Sequence, residues 1–176
     1  PHHWSVRRQR QMCIRDRRKP LGYRRLINHC KENYKFCILP TLEADDAIGI
    51  DATRFADPAN IVVSPDKDMK QIPSNLWNLS DDVVEITVED GDRWHLIQTL
   101  SGDPTDGYSG CPGIGVKRAT ELLDKNENKW EAVCKAFRDR GLSDDDALLN
   151  ARLAKILRQE DYDLTNSQPI LWNPKL

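Results

Sequence analysis

Strand-like and helix-like segments divide this chain at about residue 90. Ahead of that point the β-branched run Ile61-Val62-Val63, bounded by Asp57-Pro58 and Ser64-Pro65, is the clearest strand. Phe36-Cys37-Ile38-Leu39 reads as a short buried strand. Leu76–Leu79 and Val83–Ile86 read as two more, joined by the turn-forming Ser80-Asp81-Asp82. Leu26, Ile27 and Cys30 recur at helical spacing. Thr41 is placed to cap a helix running to about Phe55 through Ala44, Ala47, Ile48 and Ala52, and a helical turn is predicted at Met69–Ile72. Beyond residue 90 only helical periodicity remains: Trp94, Ile97 and Leu100, then Glu121–Leu123, Trp130–Phe137 and Ala147–Leu157. That order predicts an α/β portion with a parallel sheet flanked by helices, its ligands at the strand carboxyl ends, followed by an all-helical lobe.

Charge is distributed unevenly. Residues 1–42 hold eleven of the 26 Lys and Arg but only Asp16 and Glu32 of the acids, a net +9. The remainder sets 15 basic residues against 26 acidic ones, a net −11. A basic block beside an acidic body suits a protein that grips a polyanion and holds cations in a carboxylate site. A solvated basic tail accounts for the counts equally well. Five cysteines without a C-x-x-C spacing argue against a disulfide framework or a thiolate zinc site, and are expected to be small buried hydrophobes in a reducing compartment. No apolar run approaches the roughly 20 residues of a membrane-spanning helix, and no secretory pattern opens the chain; a cytoplasmic location is expected.

Three acidic clusters carry the functional signal. Glu43-Ala44-Asp45-Asp46 follows the segment ending at Leu39, at a helix start; acids in a first helical turn also serve the helix dipole. Ser64-Pro65-Asp66-Lys67-Asp68 lies just beyond Ile61–Val63, where carboxylates two apart in a turn can share a cation or act as local caps. Gly102-Asp103-Pro104-Thr105-Asp106 places two acids at i and i+3, facing one way in any helical turn. Seven carboxylates in one cleft would repel unless cations neutralised them. Oxygen-only donors favour Mg²⁺ or Mn²⁺, and a pair of such ions roughly 4 Å apart can activate water against a phosphodiester.

Gly110-Cys111-Pro112-Gly113-Ile114-Gly115-Val116-Lys117-Arg118-Ala119 reads as helix, tight turn, helix, with positive φ allowed at Gly113 and Gly115. The N–H groups of the second helix, with Lys117 or Arg118, form a sequence-independent phosphate site; a plain helix connector favours the same residues. Trp94 and Trp130 are expected to pack in the core, and the scattered His2, His3, His29 and His95 offer no histidine base.

Taken in order and spacing, Glu43-Ala44-Asp45-Asp46, Ser64-Pro65-Asp66-Lys67-Asp68, Gly102-Asp103-x-x-Asp106 and Pro112-Gly113-Ile114-Gly115-x-Lys117-x-Ala119 resemble the 5′-nuclease family. That family comprises phage flap endonucleases and 5′–3′ exonucleases and the 5′-nuclease domain of bacterial DNA polymerase I. The resemblance spans about residues 36–125 and implies a PIN-like sheet with a helix–hairpin–helix (H3TH-type) lobe. It implies one metal on Glu43, Asp45 and Asp46 and a second on Asp66, Asp68, Asp103 and Asp106, all seven catalytic, with K⁺ held by backbone carbonyls of the glycine turn. DNA contacts would fall to Gly113, Gly115, Lys117 and Arg118. The implied partner is 5′-ended DNA at flaps, nicks or duplex ends, and RNA in hybrids, bound by a monomer.

The family pattern also has two further metal-binding aspartates upstream and a basic helical arch. Asp16 alone precedes Glu43 with Glu32, and it is not assigned; Lys19, Arg24 and Arg25 resemble the later part of the arch, or form a solvated basic face. The expected organisation is a non-native or disordered basic segment at 1–18, a partial α/β core with an arch remnant at 19–100, the helix–hairpin–helix lobe at 101–166 and a tail at 167–176. The chain is thus expected to be an N-terminally incomplete nuclease, weakly active or inactive by itself. A catalytically impaired DNA-binding module and a PIN-type ribonuclease are the alternatives.

Overall fold

In the computed structural model, residues 20–39, 41–54, 60–80 and 82–174 are described. They belong to two compact units, Pro1–Glu43 and Ala44–Leu176.

The first unit contains helix α1, Tyr23–Asn33, which opens after Gly22 at φ +90° and buries none of its residues. Arg24 and Arg25 are exposed on it, whereas Lys19 lies outside the described residues. The strand expected at Phe36–Leu39 is not formed. Phe36 and Ile38 are 38% and 62% exposed, and among the described residues no strand pairs with them. Four apolar residues make a strand only where a neighbouring edge takes up their backbone donors and acceptors. Cys37 is accordingly exposed and Cys30 half-buried; among the described cysteines, all free, only Cys111 and Cys134 match the expected burial.

The second unit begins with α2, Ala44–Arg54. Leu42 and Glu43 separate Thr41 from this helix, and Thr41 stands at φ +73°, so it is not the capping residue. Strand β1, Ile61–Val63, pairs in parallel with β2, Ser74–Trp77, which sits two residues earlier than its sequence pattern suggests. A 3-10 turn at Lys67–Gln71 links them. Strand β3, Val84–Ile86, runs antiparallel to β2, so the sheet is mixed rather than wholly parallel. The physical reason is the connection: β2 and β3 are joined by residues 78–83, too short for a parallel crossover, which needs a dozen or more.

Four helices complete the unit: α3, Val88–Ser101; α4, Val116–Asp124; α5, Lys129–Arg138; and α6, Asp144–Ala154. Reciprocal capping boxes start α3 (Thr87 with Asp90) and α6 (Ser143 with Asp146), and Asn128 caps α5. The expected helix at Ala147–Leu157 begins and ends three residues earlier, because the Ser143 cap fixes its start. A second 3-10 turn, Gln159–Asp161, packs on α2, and a two-stranded ladder of β4, Tyr162–Asp163, and β5, Gln168–Pro169, follows. No helix among the described residues is long and apolar enough to cross a membrane.

Helix α3 is the central element: every residue from His95 to Leu100 is buried. It packs on α4, α5, α6 and the first 3-10 turn, so the sheet-bearing and helical portions meet along it. One apolar cluster joins Leu96, Ile97, Leu100, Cys111, Ile114, Leu123, Val133 and Phe137, with Trp94 and Trp130 packed against it as expected. A smaller one joins Val62, Met69, Ile72, Leu76 and Ile156 beneath the sheet.

His95 is a polar exception in this core. Its Nε2 lies 2.7 Å from the Ala151 carbonyl, and its ring meets Trp172 edge-on at 5.0 Å. Burial, aided by the nearby Lys155 charge, pushes its pKa down from 6.5 to about 3. Between those values the unfolded chain binds a proton that the folded chain refuses. Stability from this group is therefore fully present above pH 6.5 and lost as pH falls toward 3. Urea unfolding at pH 7.5 and 5.0 is expected to show a loss of about 2 kcal/mol from His95. His95→Gln, whose amide can still donate to Ala151, should remove that loss. Asp68, whose carboxyl is pushed up to about 6 chiefly by burial, acts in the opposite sense over the acid end of this range, and the variant isolates the histidine contribution.

Candidate functional site

Two loops bring carboxylates to one place. In the first, Ser64-Pro65 ends β1 and Asp66 caps the 3-10 turn, its Oδ1 accepting the Asp68 amide at 2.9 Å. Met69, 3% exposed, anchors that turn in the smaller core. Asp68 Oδ1 accepts from Gln98 Nε2 at 2.6 Å, and Gln98 Oε1 accepts from Gln71 Nε2 at 2.6 Å. Gln71 in turn accepts the Ile156 amide at 3.1 Å and donates to the Ala154 carbonyl at 2.7 Å. Asp68 thus ends a buried amide relay that fixes its carboxylate against α3 and the segment after α6.

The second loop, residues 102–115, leaves α3 at Gly102 and returns through paired backbone bonds between Asp103 and Tyr108, 3.0 and 3.2 Å. Leu100 accepts the Cys111 amide at 2.8 Å, and Asn150 Oδ1 accepts the Gly110 amide at 2.9 Å. The Asp106 amide donates to the Asp103 carbonyl at 3.1 Å, which turns both side chains the same way. Asp103 Oδ1 accepts from the Thr105 amide at 2.9 Å and Oδ2 from Lys67 Nζ at 3.0 Å.

One oxygen from each of Asp68, Asp103 and Asp106 lies within 4.8 Å of the other two. The electrostatics are those of crowded acids. Burial, then the adjacent Asp66 charge, raises the Asp68 carboxyl to about 6, while Lys67 opposes the rise. Burial acts on Asp103 in the same direction, but the Lys67 hydrogen bond and neighbouring amides outweigh it and hold that carboxyl below its ordinary value. Three converging hard oxygens fit a divalent cation such as Mg²⁺ or Mn²⁺.

The other expected ligands stand differently. Asp66 spends one oxygen on the turn cap and is outside the triad. Asp45 Oδ1 accepts the adjacent Asp46 amide at 3.0 Å. Asp46 is 1% exposed, and its Oδ1 accepts the Leu157 amide at 2.9 Å, tying α2 to the chain beyond α6. Glu43 belongs to the preceding unit.

The glycine turn departs from helix, turn, helix. Residues 110–115 are the end of the long loop, and helix begins only at Val116. Gly113 takes φ +73° as expected, but Gly115 is extended at φ −93°. No side chain caps α4 at Gly115, so its first turn keeps N–H groups for an external acceptor beside exposed Lys117. Arg118 Nη1 donates to the Gly113 carbonyl at 2.8 Å and Arg140 Nε to the Pro112 carbonyl at 2.5 Å. Guanidinium groups thus engage two backbone carbonyls of this turn.

No family model matches the chain. An exodeoxyribonuclease of Enterobacteria phage T3 is 31% identical over 195 residues, covering 90% of this chain and 65% of that protein. An exonuclease of Escherichia phage T7 is 30% identical over 194 residues, with coverages of 89% and 65%. A 5′-3′ exonuclease of Mycobacterium tuberculosis is 33% identical across 49% of the chain. These similarities support a 5′-nuclease family for this chain. It spans 65% of the length of its two phage relatives.

Three residues of the site went unassigned from sequence: Lys67, Gln71 and Gln98. Gln98 had a signal, a long polar side chain inside the apolar Trp94–Leu100 stripe of α3, where a buried amide needs a partner. Gln71, three residues after Asp68 in a turn, had only its spacing.

Proposed function

We propose that the protein hydrolyses DNA phosphodiesters as a divalent-metal-dependent 5′–3′ exonuclease or 5′-flap endonuclease, with Mg²⁺ or Mn²⁺ on Asp68, Asp103 and Asp106. The observation that carries this reading is the convergence of those three carboxylates from separate loops, in a relative of phage exonucleases. A bound divalent ion supplies Lewis-acid polarisation of the phosphodiester and a water of lowered pKa. The chain's own contribution is orientation. The Gln71–Gln98 relay holds Asp68, and the closed Asp103–Tyr108 loop holds Asp103 and Asp106. In the two-metal form of this reading, Asp66 joins the triad while Glu43, Asp45 and Asp46 serve the other ion. The uncapped start of α4 with Lys117 and Arg118 receives a backbone phosphate of the duplex, with Gly113 and Gly115 letting that backbone approach. Lys19, Arg24 and Arg25 are the further phosphate contacts that the sequence resemblance offers.

A catalytically impaired DNA-binding module is the second reading, favoured by the engagement of Asp46 with the Leu157 amide. One assay separates the two. 5′-end-labelled flap, nicked duplex and RNA–DNA hybrid are incubated with Mg²⁺, Mn²⁺ or chelator. The nuclease reading expects cleavage with either ion and none with chelator, even at a low rate. Binding without cleavage under every condition selects the second reading.

A further inference from the structure

Lys67 already places a cation on the carboxylate site. Its Nζ lies 3.0 Å from Asp103 Oδ2, with the lysine side chain 62% exposed and that of Asp103 12% exposed. The other Asp103 oxygen is taken by the Thr105 amide at 2.9 Å, so Oδ2 is the oxygen available to a metal ion and the one the ammonium holds. Asp66 and Asp68 flank Lys67 in the chain. Its backbone is fixed by the Asp66 cap and the Met69 anchor, while its exposed stem is free to rotate.

We propose that Lys67 is an exchangeable counter-cation of this site: it neutralises Asp103 before metal binds, yields Oδ2 to the incoming divalent ion, and then offers its ammonium to a DNA phosphate. This rests on the reading that the triad holds a divalent ion. The charge logic requires the exchange, because an ammonium and a divalent ion on one carboxylate oxygen would repel at contact distance. A lysine stem reaching from a fixed turn has the length to move from the carboxylates to a neighbouring phosphate while staying in solvent.

The test compares the wild-type chain with Lys67→Gln and the charge-retaining Lys67→Arg, using Mn²⁺ alone and then DNA. Mn²⁺ binding followed by electron paramagnetic resonance is expected to tighten roughly 3- to 10-fold in Lys67→Gln and to stay within about 2-fold of wild type in Lys67→Arg. DNA affinity is then measured against salt in chelator and in Ca²⁺. The wild-type salt slope is expected to exceed that of Lys67→Gln by about one in Ca²⁺ and to match it in chelator, where the lysine is held by Asp103. Unchanged or weaker Mn²⁺ binding in Lys67→Gln overturns the exchange, as does a slope difference that persists in chelator. If the wild type itself binds no Mn²⁺, the metal reading of the triad fails and takes this proposal with it. That result is distinct from Mn²⁺ binding that ignores Lys67.

Discussion

Asp103→Asn is expected to weaken Mn²⁺ binding roughly 100-fold and to abolish ion-dependent cleavage of 5′-labelled DNA, with little change in thermal stability. The amide keeps the shape of the side chain and can still accept the Thr105 amide through one oxygen. What it removes is the charge on Oδ2, the atom now held by Lys67. The opposite expectation holds for Asp46→Asn. Asp46 is buried with Oδ1 accepting the Leu157 amide, a task an asparagine oxygen performs equally well, so Mn²⁺ affinity should change by less than about 3-fold. Titration calorimetry of both variants decides between the two roles. A large loss of affinity in Asp46→Asn would select the two-metal form, in which Asp46 serves the other ion, and an unaffected Asp103→Asn would remove the triad as the metal site.

The contrast between Asp46 and Asp103 shows what the sequence could and could not say. Both sit in acidic clusters next to a helix terminus, and spacing alone gave them equal standing. Their difference comes from tertiary partners far along the chain: Leu157 for Asp46, and Lys67 for Asp103. Asp103 and Asp106 were legible as a pair because an i, i+3 turn is local geometry. Asp66 and Asp68 were legible as neighbours but not in their division of labour, since the inward turn of Asp68 depends on Gln98 thirty residues away. The fold follows the same rule. Ile61–Val63 and the periodic helices α3, α5 and α6 were readable from local pattern. Phe36–Leu39 failed because a strand needs an edge to pair with, which no local pattern encodes. The glycine turn has the local pattern of a hairpin between helices, whereas the Leu100 carbonyl and the Asn150 side chain accept the Cys111 and Gly110 amides and hold the start of residues 110–115 as loop.

That loop makes the strongest stability expectation, and it bears on the site directly. Gly102 and Gly110 stand at φ +69° and φ +65° with their backbones in contact. A Cβ on Gly110 would lie 2.3 Å from the Gly102 nitrogen and 2.7 Å from the Leu100 carbonyl oxygen, both rigid backbone atoms. Gly110→Ala therefore combines a left-handed conformation costing about 1 kcal/mol with an overlap costing roughly 1–3 kcal/mol more. The thermal midpoint should fall by about 5–15 °C. Gly113→Ala provides the calibration: it has φ +73° but nothing within 4 Å, and should show only the conformational part. Gly115→Ala, at φ −93° with nothing within 4 Å, should be near neutral. Any relief of the Gly110 clash must move Gly102 or Leu100, and Asp103 follows Gly102 directly. Gly110→Ala should therefore weaken Mn²⁺ binding even at temperatures where the protein stays folded, while Gly113→Ala should not. A Gly110→Ala protein as stable as Gly115→Ala would show that the 102–110 closure is not what holds Asp103 and Asp106 together.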